Sequence, residues 1–251
     1  MKKLITTSLM VVMLACFSTS ALAGEQAKEG NWDFNLAPLY IWMVNMEGDM
    51  GIGPVTGGVD VPFSDIFDNL ESIFTIHFEG MHRSNWGFFL DYSGLDVGAS
   101  GTKGPFTFKV DFASTLIEAG GLYRIDNGPH NFDFLGGVRY TKLEPDVTRT
   151  PPGTKRSLTE DWYDPIIGVR YFYDFGNKWM ISARGDIGGF GAGCDFTWNV
   201  AALVHFHPWK YAAIIAGYRA LDQDYESGSG LSRFKYDMRL AGPVLGINFV
   251  W

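Results

Sequence analysis

From residue 162 to the end of the chain, polar and apolar side chains alternate through one strand-length run after another, with short turns between the runs. In the run from Trp162 to Tyr173, one parity carries Tyr163, Pro165, Ile167, Val169, Tyr171 and Tyr173, and the other carries Asp164, Gly168 and Arg170. Period two marks extended strands whose successive side chains point to opposite faces. A soluble antiparallel sheet hides its apolar face in a core. Here the polar face holds opposite charges and glycine, while the apolar face is wide and aromatic. That distribution suits lipid on the outside and a closed polar lumen within.

Applied along the chain, the pattern predicts ten strands: residues 32–46, 72–82, 86–97, 106–125, 131–143, 162–173, 179–190, 196–206, 211–225 and 234–251. Eight or twelve are the alternatives. Pro38 fits the first strand only at a bulge or with its missing donor turned away from the ladder. Trp32, Tyr40 and Trp42 of that strand suit interfacial girdles. In residues 106–125 the polar parity changes, from Thr107, Lys109 and Asp111 to Glu118 and Arg124, so either a bulge intervenes or the first part projects beyond the membrane. Lys235, Asp237 and Arg239 share parity with Phe249 and Trp251, which calls for a bulge near Gly242 and Pro243. Residues 98–105 read as a loop. The connections alternate between long or polar and short, apart from a tight Gly191–Cys194 turn, which puts both termini in the periplasm. Residues 47–70 break the rhythm with glycine-rich turns, then offer a short helix with Ser64 as cap and Ile66, Phe67 and Leu70 on one face. That segment would be a lid or plug; a ragged loop or an extra hairpin is the other reading. The fold class is therefore all-β, a transmembrane antiparallel up-and-down barrel with a short helix in its first long loop.

The chain begins with Met1-Lys2-Lys3, an apolar run to Phe17 and Ala21-Leu22-Ala23, the form of a secretory signal peptide cleaved after residue 23. Cys16 allows a lipoprotein signal as the competing reading. Residues 24–251 then form one barrel domain in the outer membrane of a Gram-negative cell. Loss of Lys2 and Lys3 takes the net charge of −8 to −10, which makes nucleic acid a poor partner. Cys194 is then the one remaining cysteine, so no internal disulfide forms. Hydrophobic residues make up 46% of the sequence and aromatics 16%, spread over short segments rather than a run long enough for a membrane helix.

Four runs carry a resemblance: Asp164-Pro165-Ile166-Ile167-Gly168-Val169-Arg170-Tyr171, Arg184 to Gly191, Ala216 to Leu221, and Gly242 to Gly246. With Pro38 to Trp42 and Phe63 to Ile66, they resemble a family of uncharacterised Gram-negative outer-membrane β-barrel proteins of about this length. The resemblance implies fold and place, and supplies no catalytic residues. Phe249 and Trp251 are similar to the aromatic-terminated last strand read by the barrel-assembly machinery. Partners expected on this basis are outer-membrane lipid, lipopolysaccharide and that machinery, with a small solute or ion possible.

The inward parity collects Glu79, Asp91, Glu118, Asp133, Asp164 and Asp186 against Arg124, Arg139, Arg170, Arg184 and Arg219, a near balance of signs. In a lumen of about ten strands, such pairs either plug the space or line a narrow selective pore. His77 and Glu79 share a face and could begin a metal site, although two ligands are too few. No cofactor is implied. His205 and His207 read as polar residues at the periplasmic interface. The glycines from Gly185 to Gly193 lack the lysine and helix of a phosphate loop. A structural, binding or narrow-channel barrel is the first functional reading, and a hydrolase at the outer rim is the alternative. Asp222, Asp224 and Glu226 cluster there, but no serine shows a histidine and acid partner. A soluble secreted β-protein is the third class.

Overall fold

The computed structural model describes residues 30–103 and 105–251, so the leader and its cleavage site lie outside the described residues. The chain runs β1 (Trp32–Trp42), β2 (Asn45–Ile52), β3 (Val55–Val61), α1 (Phe63–Asp68), β4 (Leu70–His82), β5 (Trp86–Lys103) and β6 (Phe106–Asn127). It continues β7 (His130–Thr150), β8 (Thr154–Ser157), β9 (Glu160–Asp174), β10 (Trp179–Gly189), β11 (Phe196–Trp209), β12 (Ala212–Ser227) and β13 (Phe234–Val250). Ten of these strands form an antiparallel ring in the order β1-β4-β5-β6-β7-β9-β10-β11-β12-β13, closed by β1 on β13. All ten expected strands are present. Closure leaves the ring no unpaired edge, which a sheet in lipid requires.

The barrel has two sections with opposite polarity. β10 has 11 residues and β6 has 22, and the surplus projects on the side away from the termini and tight turns, the outer side. In the membrane section, Phe134, Ile167, Val200 and Ile247 are exposed on the outside, while charges face the lumen. Aromatic pairs flank this band: Trp86 with Tyr123 and Trp179 with Phe206 near the periplasmic turns, Tyr140 with Tyr163 above. In the outer section the lumen is apolar. Phe234, Tyr236, Met238, Leu221, Leu143 and Trp162 are buried in one core.

This inversion explains the parity change in β6. β5 and β6 pair without a register shift from Trp86↔Tyr123 to Lys103↔Phe106, so there is no bulge. Even-numbered residues from Phe112 to Leu122 face inward: Glu118 and Leu122 are buried below, and Phe112 and Leu116 pack on the apolar core above. Lys109 and Asp111 stay outside because outside is now water. The segment read as a loop at 98–105 is mostly strand, since Gly98 to Lys103 find partners along β6.

β13 corrects the expected bulge near Gly242 and Pro243. Its register to β12 is continuous from Ala212↔Phe249 to Ser227↔Phe234, and Lys235, Asp237 and Arg239 project outward in the outer section. The irregularity lies opposite, between Leu36 and Leu39 of β1, where Pro38 sits at the shift. That one-residue slip turns Tyr40 and Trp42 into the lumen, both buried, which overturns their assignment to a girdle. Trp32, before the slip, remains outside.

Residues 45–61 form a hairpin rather than a loop: β2 adds to β13 and β3 adds to β2. β8 likewise adds to β7. After the hairpin, α1 turns Ile66 into the outer core and leaves Phe67 outside beside Phe63. Its N-cap is Pro62, not Ser64, whose hydroxyl instead donates to Asp65. The Asn45 side chain accepts from Phe63 N and donates to Ala241 O, which ties the helix to the barrel.

Glycines close two tight places. Gly120 and Gly137 face each other across β6 and β7, and a Cβ on Gly120 would come within 2.4 Å of Gly136 O and 2.7 Å of the Phe89 ring. Gly189 and Gly191 adopt positive φ of 85° and 75° at the short β10–β11 turn, as the low rim there requires.

Candidate functional site

Two lateral rows of inward residues build the site, because each ladder sets its neighbour's register. The first runs Ala37–His77–Asp91–Glu118–Arg139–Asp164 across β1, β4, β5, β6, β7 and β9. The second runs Arg124–Asp133–Arg170–Arg184 across β6, β7, β9 and β10. Opposite charges placed directly across a ladder are within reach of each other.

The upper cluster centres on Arg139, which is fully buried. It donates from Nε to Glu118 at 2.9 Å, from Nη2 to Asp186 at 2.7 Å and from Nη1 to Thr197 at 3.1 Å. Arg184 bridges the same carboxylates, 2.8 Å from each. Arg219 donates to Glu118 at 2.9 Å, to Asn199 at 2.8 Å and to the Tyr40 hydroxyl at 3.2 Å, with its guanidinium over the Trp42 ring. Burying one ion pair is costly, and shared partners that saturate every oxygen offset the desolvation.

The lower cluster lies nearer the periplasm. Arg170 holds Glu79 through two bonds, at 2.7 and 2.9 Å, and Asp133 at 2.7 Å. Arg124 donates to both oxygens of Asp133, at 2.6 and 2.9 Å. Asp91 bonds instead to His77, whose Nδ1 lies 2.8 Å from Oδ1, while His77 Nε2 is 3.6 Å from Glu79. Among the described residues no three His, Cys, Asp or Glu side chains are grouped to hold a metal.

Of the eleven luminal charges expected from the sequence, ten meet in these clusters. Asp164 does not. It faces Arg139 across the ladder, yet its oxygens accept from Cys194 N at 2.6 Å and the Trp162 indole at 3.1 Å, while Arg139 turns to Glu118 and Asp186. His205 is also corrected: it is buried in the lumen, with Nε2 2.8 Å from Ser182 Oγ. Counting from the β10–β11 turn would have found this pair, since Met180 opposes His205 and Ser182 is two residues on. Among the described residues its Nδ1 has no hydrogen-bond partner that would orient the ring.

Below the upper cluster lies a cavity of about 140 Å³, lined by both cluster edges and by Asn35, His205 and Asn248. Exposure decreases away from the periplasmic side: Arg124 and His77 side chains are about a fifth exposed, whereas Arg139 and Asp186 are at 0%.

A closed ten-stranded sheet with an apolar outer belt and a charged lumen defines a transmembrane β-barrel of the outer-membrane class. No family model matches the chain, and no curated protein does. Solved structures similar to it include the outer membrane protease OmpT from Escherichia coli, at 5% identity and TM-score 0.49, covering 91% of this chain and 99% of that one. The translocator domain of autotransporter NalP from Neisseria meningitidis matches at 13% identity and TM-score 0.42, with 97% of each chain covered. Ail, the attachment invasion locus protein of Yersinia pestis, matches at 13% identity and TM-score 0.39, covering 88% and 97%.

Proposed function

We propose that this is a non-conducting outer-membrane barrel of structural or binding type, anchored in lipid and open only toward the periplasm. One observation carries the reading: the lumen is closed twice, by the Arg139–Glu118–Asp186 cluster at mid-barrel and by the apolar core and α1 above it. The outward aromatic end of the last strand, with Trp251 paired to Phe34 through both backbone bonds, supports delivery by the barrel-assembly machinery. Lipopolysaccharide is the expected neighbour of the outer girdle.

A hydrolase is less well supported. Ser182 and His205 sit inside the lumen, where a lipid or peptide at the outer rim does not reach them. Planar-bilayer conductance of the refolded mature chain, first shown to be heat-modifiable, tests the proposal. Silence is expected. Discrete unitary steps would replace it with the narrow-channel reading and make Arg139, Arg184 and Asp186 the selectivity residues.

A further inference from the structure

The ring has no open edge, but the hairpin added to it has one. β3 pairs with β2 alone, and among the described residues no backbone bond reaches its other side. Ile52 and Val55 close the two-residue turn, so in the alternating ladder that follows Thr56, Gly58 and Asp60 direct their N–H and C=O groups away from β2. All three residues are exposed. Edges that must stay single are blunted by lysine, by proline within the strand, by inward charges or by a bulge. β3 has none of these. Its sequence is Val-Thr-Gly-Gly-Val-Asp-Val, and its register to β2 runs unbroken from Met46↔Val61 to Ile52↔Val55.

The two faces of the hairpin say what this edge accepts. The outward face is acidic. Glu47 and Asp60 oppose each other across the hairpin, and the Asp49 carboxylate reaches over Gly58, 3.9 Å from where a Cβ would stand. None of the three is in an ion pair among the described residues, and the bases beside them on β13 are taken, Arg239 by Asp222 and Lys235 by Asp237. The inward face is apolar, with Val59 and Val61 partly buried against the outer core. A strand laid along the edge would therefore alternate, with basic side chains outward opposite Gly58 and Asp60 and apolar ones inward beside Val59. A second copy of β3 fits poorly, because it brings Glu47, Asp49 and Asp60 of both chains together.

We propose that the free edge of β3 is a docking site on the outer side for an extended, basic polypeptide segment of another protein, held by strand addition. The backbone ladder holds the segment, and the carboxylates select its charge and register. This deepens the binding reading and does not depend on the luminal seal.

Fluorescence anisotropy of a labelled peptide, acetyl-Lys-Val-Lys-Val-Lys-Val-Lys-amide, tests it on the mature chain folded in a neutral detergent. Saturable binding is expected, and none for the peptide with glutamate in place of each lysine. N-methylation of the lysine backbone amides, which face β3, keeps the charge and removes ladder donors; it should weaken binding by about tenfold or more. Gly58→Pro removes a donor from the free edge without touching the β2 ladder and should do the same. Asp49→Asn combined with Asp60→Asn should weaken binding severalfold. If a variant loses its heat-modifiable folded form, the N-methylated peptide on the native chain decides alone. No saturable binding, equal affinity for the N-methylated or the glutamate peptide, or unchanged affinity in the folded Gly58→Pro chain overturns the proposal. Dimerisation of the chain alone that Gly58→Pro abolishes also overturns it and gives the edge to a second copy. Conductance on the same samples separates the two claims: steps with peptide binding contradict the seal alone, and silence without binding contradicts the docking site alone.

Discussion

Arg139 and Arg239 show how differently the two sections of the barrel treat the same residue type. Arg139 faces inward in the membrane section, is fully buried and binds two carboxylates. Arg239 faces outward in the outer section, is more than half exposed and pairs with Asp222 at 3.0 Å. Along β13 the apolar residues change faces without any break in register: Leu245 and Ile247 face lipid below, whereas Tyr236 and Met238 face the core above. Strand parity fixes which residues share a face. The surrounding medium then decides which face is polar, and it changes where the strands leave the bilayer.

The sharpest way to break the contrast is Arg139→Met. It leaves Glu118 and Asp186 buried with fewer partners and should cost about 3–5 kcal/mol, read as a lower urea midpoint for the folded, heat-modifiable form. Arg239→Met should cost about 1 kcal/mol or less in the same titration. Next in size, Met238→Ala opens a cavity in the outer core and should cost about 2–5 kcal/mol. Leu245→Ala, half-exposed on the lipid face, should move the midpoint much less, because it opens no enclosed space. Gly120→Ala pushes a methyl against Gly136 O and Phe89 and should cost about 1–3 kcal/mol by overpacking.

The smallest effect concerns Asp224 on the outer face of β12. Partial burial, then Asp237 and Asp195 nearby, raise its carboxyl above the ordinary aspartate range. A raised folded value means the protonated form is favoured on folding. Its contribution is present below the unfolded value and is lost as pH rises through the folded one. Asp224→Asn should therefore raise the midpoint slightly at neutral pH and make no difference in acid, as parallel titrations at the two pH values would show.

Much of this was legible in residue order. Alternation located the ring strands and put eleven charges on the inward face, of which ten meet, because one face of each strand must avoid lipid. The hairpin of β2 and β3 was legible only as an alternative to a lid or a ragged loop. Its glycines read as turns, and its pairing to β13 is a long-range contact that local pattern does not encode. The slip at Pro38 was anticipated as a bulge, but its consequence for Tyr40 and Trp42 depends on counting past it. Asp164 failed for another reason. Register placed it opposite Arg139, yet the low β10–β11 turn brings Cys194 N to its carboxylate and frees the arginine for deeper partners.

The central claim, a lumen sealed outside and open below, is tested most directly by the side from which it can be reached. Ala201→Cys places a thiol on the cavity wall, while native Cys194 is fully buried and Leu231→Cys supplies an exposed outer control. In proteoliposomes of known orientation, a small membrane-impermeant thiol reagent added from the outer-loop side should label Leu231→Cys and leave Ala201→Cys unmodified, and added from the periplasmic side should label Ala201→Cys. Labelling of Ala201→Cys from the outer-loop side at the rate of the outer control would contradict the seal.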